Sequence, residues 1–307
     1  MSFDKSGPGI VDEKRLGARA RRGVGNLLRT LRGNSLALSG SVILLFFAVI
    51  AVFAPWIAPY SSDKRFTADN GIPLSNRPPS LSHPFGTTYM GRDVLSLVIY
   101  GSQGSLLVAL ASGLAAMFIG GNVGLIAGYF GGRIDLILMR LVDLLYGIPT
   151  LPFILVLTLF IAPSIWNVLL AVSLLLWRTT ARIVRSQAMT LSNRPFINAS
   201  RAVGAGNLRI LYVHLAPNLL PLLLSQVTLV IGWSIILESG ASFLGVGANE
   251  VLSWGQILQS VFVSGAIRTA WWWVIPPGVC IATLVLSFFL ISNGIEEMVS
   301  PSAKSRH

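Results

Sequence analysis

Residues 193–218 read NRPFINASRAVGAGNLRILYVHLAPN, a polar and basic stretch that separates two apolar ones. Pro195 suits the first turn of a helix, where its missing N–H group costs nothing, and Gly204 suits a left-handed exit from that helix. Three residues at the helical spacing i, i+3, i+7 form a narrow apolar stripe: Phe196, Ala199 and Val203. The stretch therefore predicts a short helix, roughly nine residues and ~14 Å long, that is presented to a partner.

The rest of the chain has the composition of a membrane protein. Of its 307 residues 53% are hydrophobic and only 11% are charged, and the mean hydropathy is +0.70. A soluble domain carries about 25% charged residues, and roughly 20 apolar residues span a bilayer. Six windows qualify, of which the fourth is short unless it runs past the charges that follow: Leu36–Ala54, windows within Val94–Tyr129, Leu141–Ala162, Ile165–Trp177, Asn218–Leu237 and Val274–Ile295. We predict an all-α integral membrane protein with about six transmembrane helices.

Charge placement predicts the orientation of these spans. Residues 1–33 hold eight Lys and Arg against three acidic residues, and residues 178–209 hold six Arg and no acid. Positive segments stay on the cytoplasmic side, which agrees with six spans and a cytoplasmic N-terminus. The net charge of +11 then indicates topology and contact with anionic lipid. Nucleic-acid binding is disfavoured because no single basic face exists to carry it.

Four segments follow from this pattern. We expect a basic cytoplasmic tail (1–33), the first span with an external lobe (34–92), a transmembrane domain (93–297) that contains the cytoplasmic loop 193–218, and a cytoplasmic tail (298–307). The lobe should be irregular because Pro55–Arg92 holds six prolines. Asp93 could cap the next helix. His83 is interpreted as a surface side chain, since no second His or Cys lies near it in the sequence.

Other polar and glycine residues have structural interpretations. Glycines recur every four residues at Gly120, Gly124, Gly128 and Gly132, which predicts a helix face that a second helix approaches closely. Asp143 is expected to pair with Arg140 at i, i+3, or to form a second surface for a partner. Pro149 and Pro152 predict a kink. The run Trp271–Trp273 predicts an aromatic belt at the outer interface.

Residues 193–218 resemble the cytoplasmic EAA loop of ABC-transporter permeases, which docks on an ATPase subunit. Asn198-Ala199-Ser200 stands where the family has Glu-Ala-Ala, Gly204 holds the glycine, and Ala216-Pro217 holds the Leu-Pro pair at the usual distance of thirteen positions (217 − 204). Asn198 and Ser200 depart from the family pattern, so the salt bridge of the usual Glu cannot form here.

Three further motifs are similar to the dipeptide, oligopeptide and nickel importer permeases. FGTTYMGRDVLS at 85–96 and IYGSQGSLLVAL at 99–110 resemble the entry to their transmembrane domain, and SFLGVG at 242–247 with WGQIL at 254–258 resembles an outer-side pattern. The separate first span is similar to their C-type subunit. We interpret the SFLGVG motif as a re-entrant or short-helix gate.

The resemblance implies a type I ABC importer-like transmembrane domain and a permease subunit. It implies a second permease subunit, with a heterodimer as the expectation and a homodimer as the alternative, two ATPase subunits that carry ATP and Mg²⁺, and an extracytoplasmic solute-binding protein. ATPase coupling is expected at Pro195, Phe196, Asn198, Ala199, Ser200, Arg201, Gly204 and Pro217. A gate or substrate path is expected at Glu238, Phe243, Gly245 and Gly247. Glu238 could meet a cationic group of the solute or hydrogen-bond to nearby backbone.

No catalytic chemistry is visible in the sequence. It contains no G-x-x-x-x-G-K-[ST] motif and only four lysines, and no Ser–His–acid or HExxH arrangement. The single Cys280 excludes disulfides and a cysteine metal cluster. We therefore predict that the chain binds no cofactor or metal and is no enzyme. Peptides are the first expectation for the solute, with nickel or other metal chelates, oligosaccharides and opines as alternatives. A secondary transporter would show inverted repeats or pore-lining charge, and neither is visible.

Overall fold

Helices make up most of the computed structural model, which describes residues 34–161, 164–247 and 251–299. The main helices, in chain order, are α1 (Ser35–Val52), α2 (Ala54–Ile57), α3 (Val94–Phe130), α4 (Gly132–Tyr146), α5 (Thr150–Ile161), α6 (Ile165–Ser192), α7 (Pro195–Ala202), α8 (Asn207–Val246), α9 (Trp254–Val263) and α10 (Trp271–Val299). Within the described ranges, β-type pairing is limited to three isolated bridges in the segment 58–93. The tail 1–33 lies outside the described residues, as does 300–307 of the C-terminal tail.

Five helices are long and apolar enough to cross a membrane: α1, α3, α6, α8 and α10. The pair α4–α5 forms a sixth span if it is counted as one, and its two helices meet at 88°. The all-α fold with about six spans is therefore confirmed. The third predicted span, 141–162, is not continuous, because the chain breaks at Gly147–Pro149 and Pro152 lies inside α5. The fourth does run past its charges, to Ser192.

Close packing of α3 against α6 forms the centre of the bundle. A Cβ atom added at Gly120, Gly124 or Gly128 would lie 2.4–2.6 Å from a backbone oxygen of α6. The predicted glycine face is therefore real at these three positions. Gly132 does not belong to it: it begins α4 with φ +55° and has no neighbouring atom within 4 Å of such a Cβ.

The segment between α2 and α3 is irregular, as predicted, but its histidine is buried. The Asp93 carboxylate accepts a bond from the Ser96 amide at 2.8 Å and so caps α3. Its other oxygen bonds His83 Nδ1 at 2.9 Å. The rings of Tyr60 and Phe66 pack against the imidazole. The surface interpretation of His83 is wrong, because a partner ten residues away satisfies its ring inside the lobe.

Two further sequence-based interpretations, the Asp143–Arg140 pair and the place of Trp273 in an aromatic belt, are wrong for the same reason: the residues that these side chains contact are distant in the chain. Asp143 pairs with Arg182 of α6 at 2.6 Å, not with Arg140. Trp273 is 1% exposed and stacks on Tyr89, with ring centroids 5.9 Å apart. Of the predicted aromatic belt, Trp271 is the exposed member.

Candidate coupling surface and gate

The short helix α7 has both of the ends that its sequence predicts. Pro195 occupies its first turn after an extended Arg194, and the helix ends in Gly204 at φ +84°. The Gly204 amide donates to the Arg201 carbonyl at 2.9 Å, and the Ala205 amide donates to the Ser200 carbonyl at 3.0 Å. These bonds satisfy carbonyl groups that a helix end otherwise leaves unpaired.

One buried side chain fastens α7 to the bundle. Ile197 is fully buried and belongs to an apolar cluster that includes Ile210, Leu211 and Leu215 of α8. Residues 210–215 of α8 form a π-helix. All three of these α8 residues belong to the π-helix and pack in the same cluster as Ile197. Sequence analysis missed Ile197, because the i, i+3, i+7 stripe drew attention to the opposite face.

The predicted coupling residues lie mostly at the surface around that anchor. Exposed positions are Pro195, Phe196, Asn198, Ala199, Arg201, Gly204 and Pro217, while Ser200 is half-buried. The Arg201 guanidinium lies 5.1 Å above the ring of Tyr129 at the end of α3. Pro217 lies inside the long helix α8, beyond its π-helical part. The stripe residue Val203 is 89% exposed.

A shallow groove runs beside α7 and encloses about 420 Å³. Its lining combines small residues with two basic side chains: Ala199, Ser200, Val203, Gly204, Ala205, Arg209 and His214. No Asp or Glu occurs in the sequence between positions 144 and 237. The surface around α7 is therefore positive with an apolar centre.

Glu238 lies in the interior of the bundle at 2% exposure. Its carboxylate accepts bonds from the hydroxyl groups of Ser242, at 2.8 Å, and Ser239, at 3.3 Å, and it also interacts with Ser253. Among the ion pairs of the described residues, none includes Glu238. The adjoining cavity of about 10 Å³ holds about one water molecule. The hydrogen-bond partners that the structure shows for this carboxylate are therefore serine hydroxyls.

The other predicted gate residues form the turn that follows Glu238. Residues 242–246 make a second π-helical turn, in which Gly245 adopts φ +97°. A Cβ atom at Gly247 would lie 2.8 Å from the Ser242 hydroxyl. The Phe243 ring lies 5.5 Å from that of Phe262 on α9. The turn thus ends α8 in a compact bend that packs against α9.

In the part of the chain that the structure describes, no group of three His, Cys, Asp or Glu side chains lies close enough together to hold a metal ion.

Comparison with known proteins identifies the architecture. Residues 120–305 match a family described as the inner membrane component of binding-protein-dependent transport systems. Residues 25–79 match the N-terminal transmembrane domain of oligopeptide transport permease C. A chain of the MetNI methionine ABC transporter in an inward-facing conformation superposes with a TM-score of 0.51 at 20% identity, over 67% of this chain and 95% of that one. That likeness concerns the fold alone.

Relatives at higher identity extend along nearly the whole chain. The dipeptide transport system permease protein DppC of Bacillus subtilis (strain 168) is 34% identical over 90% of this chain and 85% of its own length. The probable D,D-dipeptide transport system permease protein DdpC of Escherichia coli (strain K12) is 31% identical over 90% and 91%. A glutathione transport system permease protein GsiD of Escherichia coli O6:K15:H31 is 33% identical over 90% and 89%.

Proposed function

This chain belongs to the family of binding-protein-dependent transport system inner membrane components, and we propose that it carries peptides across the cytoplasmic membrane as the permease subunit of an ATP-driven importer. The family is one of multi-pass bacterial membrane permeases, which are not themselves enzymes. The names of relatives at 31–34% identity, dipeptide, D,D-dipeptide and glutathione permeases, support peptides over metal chelates, oligosaccharides and opines.

The energy for transport comes from other subunits in this proposal. The 307 residues contain no G-x-x-x-x-G-K-[ST] loop to cradle the phosphates of ATP. Membership of a binding-protein-dependent family implies ATPase and solute-binding partners. We add that two ATPase subunits hold ATP and Mg²⁺, and that the second permease subunit is a different chain.

The coupling surface is α7 with the residues around it, and one observation carries this assignment. An eight-residue helix and the residue that caps it present Phe196 and Val203 to the surface, while the buried Ile197 anchors the helix to the bundle. Two residues, Asn193 and Arg194, join it to the 28-residue helix α6. Because the link is short and the anchor is buried, a push on α7 moves the ends of α6 and α8 together. Such rigid-body motion tips the spans between inward-open and outward-open states.

The charge around α7 specifies the chemistry of its ATPase partner. Arg194 and Arg209 are exposed beside the helix, and Asn198 stands where the family carries a glutamate. An ATPase groove that fits should be apolar at its centre, to receive Phe196 and Val203, and acidic at its rim. An ATPase adapted to a coupling helix that carries the family's glutamate would not need such an acidic rim.

The orientation completes the proposal. The Arg-rich stretch 178–209 faces the cytosol, as do both termini, and the segment 58–93 faces outward toward the solute-binding protein. Arginines at the cytoplasmic ends of the spans contact anionic lipid. Residues 34–92 then form the first helix with its lobe, and residues 93–297 form the transporting domain.

A pair of exposed apolar residues tests the coupling surface. Val203 (89% exposed) and Ile72 (60% exposed) both tolerate a charge sterically, but only Val203 belongs to the coupling surface, as the residue that caps the end of α7. We expect Val203→Asp to reduce the ATPase that co-purifies with the permease pair at least tenfold, because it places a negative charge in the apolar centre of the groove, beside its acidic rim. Ile72→Asp should leave it unchanged. Full retention of the ATPase by Val203→Asp would refute the coupling surface.

Accessibility labelling tests the orientation. In a Cys280→Ala background, Val203→Cys should react with an impermeant maleimide in inside-out vesicles and not in intact cells, and Ile72→Cys should show the opposite pattern. Reaction of Val203→Cys in intact cells would contradict the proposed topology.

An uptake assay tests the solute. Proteoliposomes with the partner subunits and the binding protein should accumulate labelled dipeptide only when ATP is supplied. If the proteoliposomes took up a nickel chelate and no peptide, the proposal of a peptide substrate would be wrong.

A further inference from the structure

Three arginines on one face of α6 hold the bent pair α4–α5. Arg178, Arg182 and Arg185 follow each other at spacings of four and three residues, which places them on one side of a helix. Each of them bonds to α4 or α5. We call these three residues the arginine row.

Arg178 bonds across the break in the bent pair. Its Nη1 donates to the Leu145 carbonyl, near the end of α4, at 2.5 Å. Its Nη2 donates to the Thr150 hydroxyl, at the start of α5, at 3.0 Å. One planar guanidinium therefore bridges the two helices that meet at 88°. A lysine could not reproduce this fork.

Arg182 makes the middle contact of the row. It pairs with Asp143 at 2.6 Å, and its guanidinium lies 4.2 Å from the centre of the Tyr146 ring. Arg178 lies 5.0 Å from the same ring. Both side chains of the ion pair are 51% exposed. The Arg182–Asp143 pair alone therefore contributes little.

Arg185 makes the best-protected contact of the row. Its Nε and Nη2 both donate to the Asp135 carboxylate, which is 15% exposed. A bidentate arginine–carboxylate pair combines strength with a fixed geometry. The arginine row thus bonds to α4 at its first turn and near its end, and to α5 at its first residue.

We propose that the arginine row makes α4 and the bend move as one body with α6, so that displacement of α7 is delivered to α5. This inference rests on the coupling function proposed for α7. The mechanical argument has two parts. Helix α6 reaches α7 through a two-residue link, and the row fixes α6 to both sides of the break. Residues Arg178, Arg182, Arg185, Asp135 and Asp143 are then positioning residues for transport.

A charge swap distinguishes this role from simple stabilisation. The assembled importer, with its partner subunits and binding protein, is reconstituted in proteoliposomes, and the solute taken up per ATP hydrolysed is measured. We expect Asp135→Arg or Arg185→Asp to lower this ratio at least tenfold while stimulated ATPase activity stays within twofold. The double variant D135R/R185D should restore the ratio to within threefold. Arg140→Asp, an exposed arginine on α4 outside the row, serves as the control and should change nothing.

The opposite results overturn the proposal. If the single variants take up as much solute per ATP as the parent, the proposal is wrong. It is also wrong if uptake and ATPase activity fall together and the double variant D135R/R185D does not recover, because that result indicates only a folding role. Failure of the coupling surface itself is seen separately, as full ATPase retention by Val203→Asp.

A distance measurement tests the rigid body without reference to activity. Spin labels are attached in the Cys280→Ala importer at Arg140→Cys on α4 and Thr190→Cys on α6, both exposed positions. The distance between them should be the same in nucleotide-free and ATP-bound states. In the Asp135→Arg variant the distribution should broaden or shift with ATP. A change between states in the otherwise unaltered importer would overturn the proposal.

Discussion

Gly124 lies so close to Ala181 that a Cβ atom added to it would be 2.5 Å from the Ala181 carbonyl oxygen. Backbone on both sides leaves no flexible side chain to yield, so Gly124→Ala must separate α3 from α6. We expect a cost of about 2 kcal/mol, which lowers the melting temperature by roughly 4–8 °C. Tryptophan fluorescence of the purified permease pair during heating measures the shift.

Gly278 supplies the matched control for this prediction. It lies in α10, and a Cβ atom there would meet no atom within 4 Å. Gly278→Ala should be neutral or stabilising by up to ~1 kcal/mol, since alanine favours helix more than glycine does. Equal melting temperatures for the two variants would show that α3 and α6 do not depend on close approach.

The buried pair of His83 and Asp93 predicts how much substitutions of Asp93 lower the free energy of unfolding. Asp93→Ala removes both the helix cap and the imidazole partner, and we expect a loss of about 2–4 kcal/mol. Asp93→Asn keeps an acceptor for the Ser96 amide and should lose less. Denaturation of the purified complex measures both changes. Asp69→Ala, at an exposed position of the same segment, should remain within ~0.5 kcal/mol of the parent. If Asp93→Ala matched it, the pair would be unimportant for the lobe.

The sequence predicted correctly those features that depend on the local preferences of single residues or on the length of an apolar segment. Proline at a first turn and glycine at a left-handed exit fixed both ends of α7, because each preference holds whatever the rest of the chain does. Apolar length predicted the spans, since a bilayer requires about 20 such residues whatever their packing. The family resemblance extended this to the fold and to the permease family.

Pairings between distant residues could not be predicted in this way. Asp143 has Arg140 nearby in sequence, yet its partner is Arg182, 39 positions away. The imidazole of His83 and the indole of Trp273 are buried by segments whose approach the sequence does not encode locally. The one signal available for the arginine row was its helical spacing, and that spacing alone does not say which helix lies opposite.

The anchor of α7 predicts a third outcome. Ile197→Ala removes a fully buried side chain and leaves a cavity between α7 and α8, with an expected cost of about 2–4 kcal/mol. Because α7 is short, we expect the loss to appear as faster amide exchange of residues 195–205, while exchange in α3 and α6 stays unchanged. Val203→Ala, at the exposed position that directly follows α7, is the control. Identical exchange in the two variants would mean that Ile197 does not fasten α7.

Glu238 provides a last prediction, which separates a structural from a solute-binding carboxylate. Its partners are Ser239, Ser242 and Ser253, and the cavity beside it holds about one water molecule. Glu238→Leu leaves these hydroxyls without an acceptor and should cost about 2–4 kcal/mol, whereas Glu238→Gln retains one acceptor and should cost about 1 kcal/mol.

The measurement for Glu238 compares stability with transport kinetics. If the carboxylate joins α8 to the start of α9, Glu238→Gln lowers the melting temperature while the KM for peptide uptake stays within twofold. If instead it receives the cationic end of the solute, the same variant raises KM at least tenfold and leaves the melting temperature unchanged. We expect the first result, because a side chain at 2% exposure beside a water-sized cavity has no room for a peptide amine.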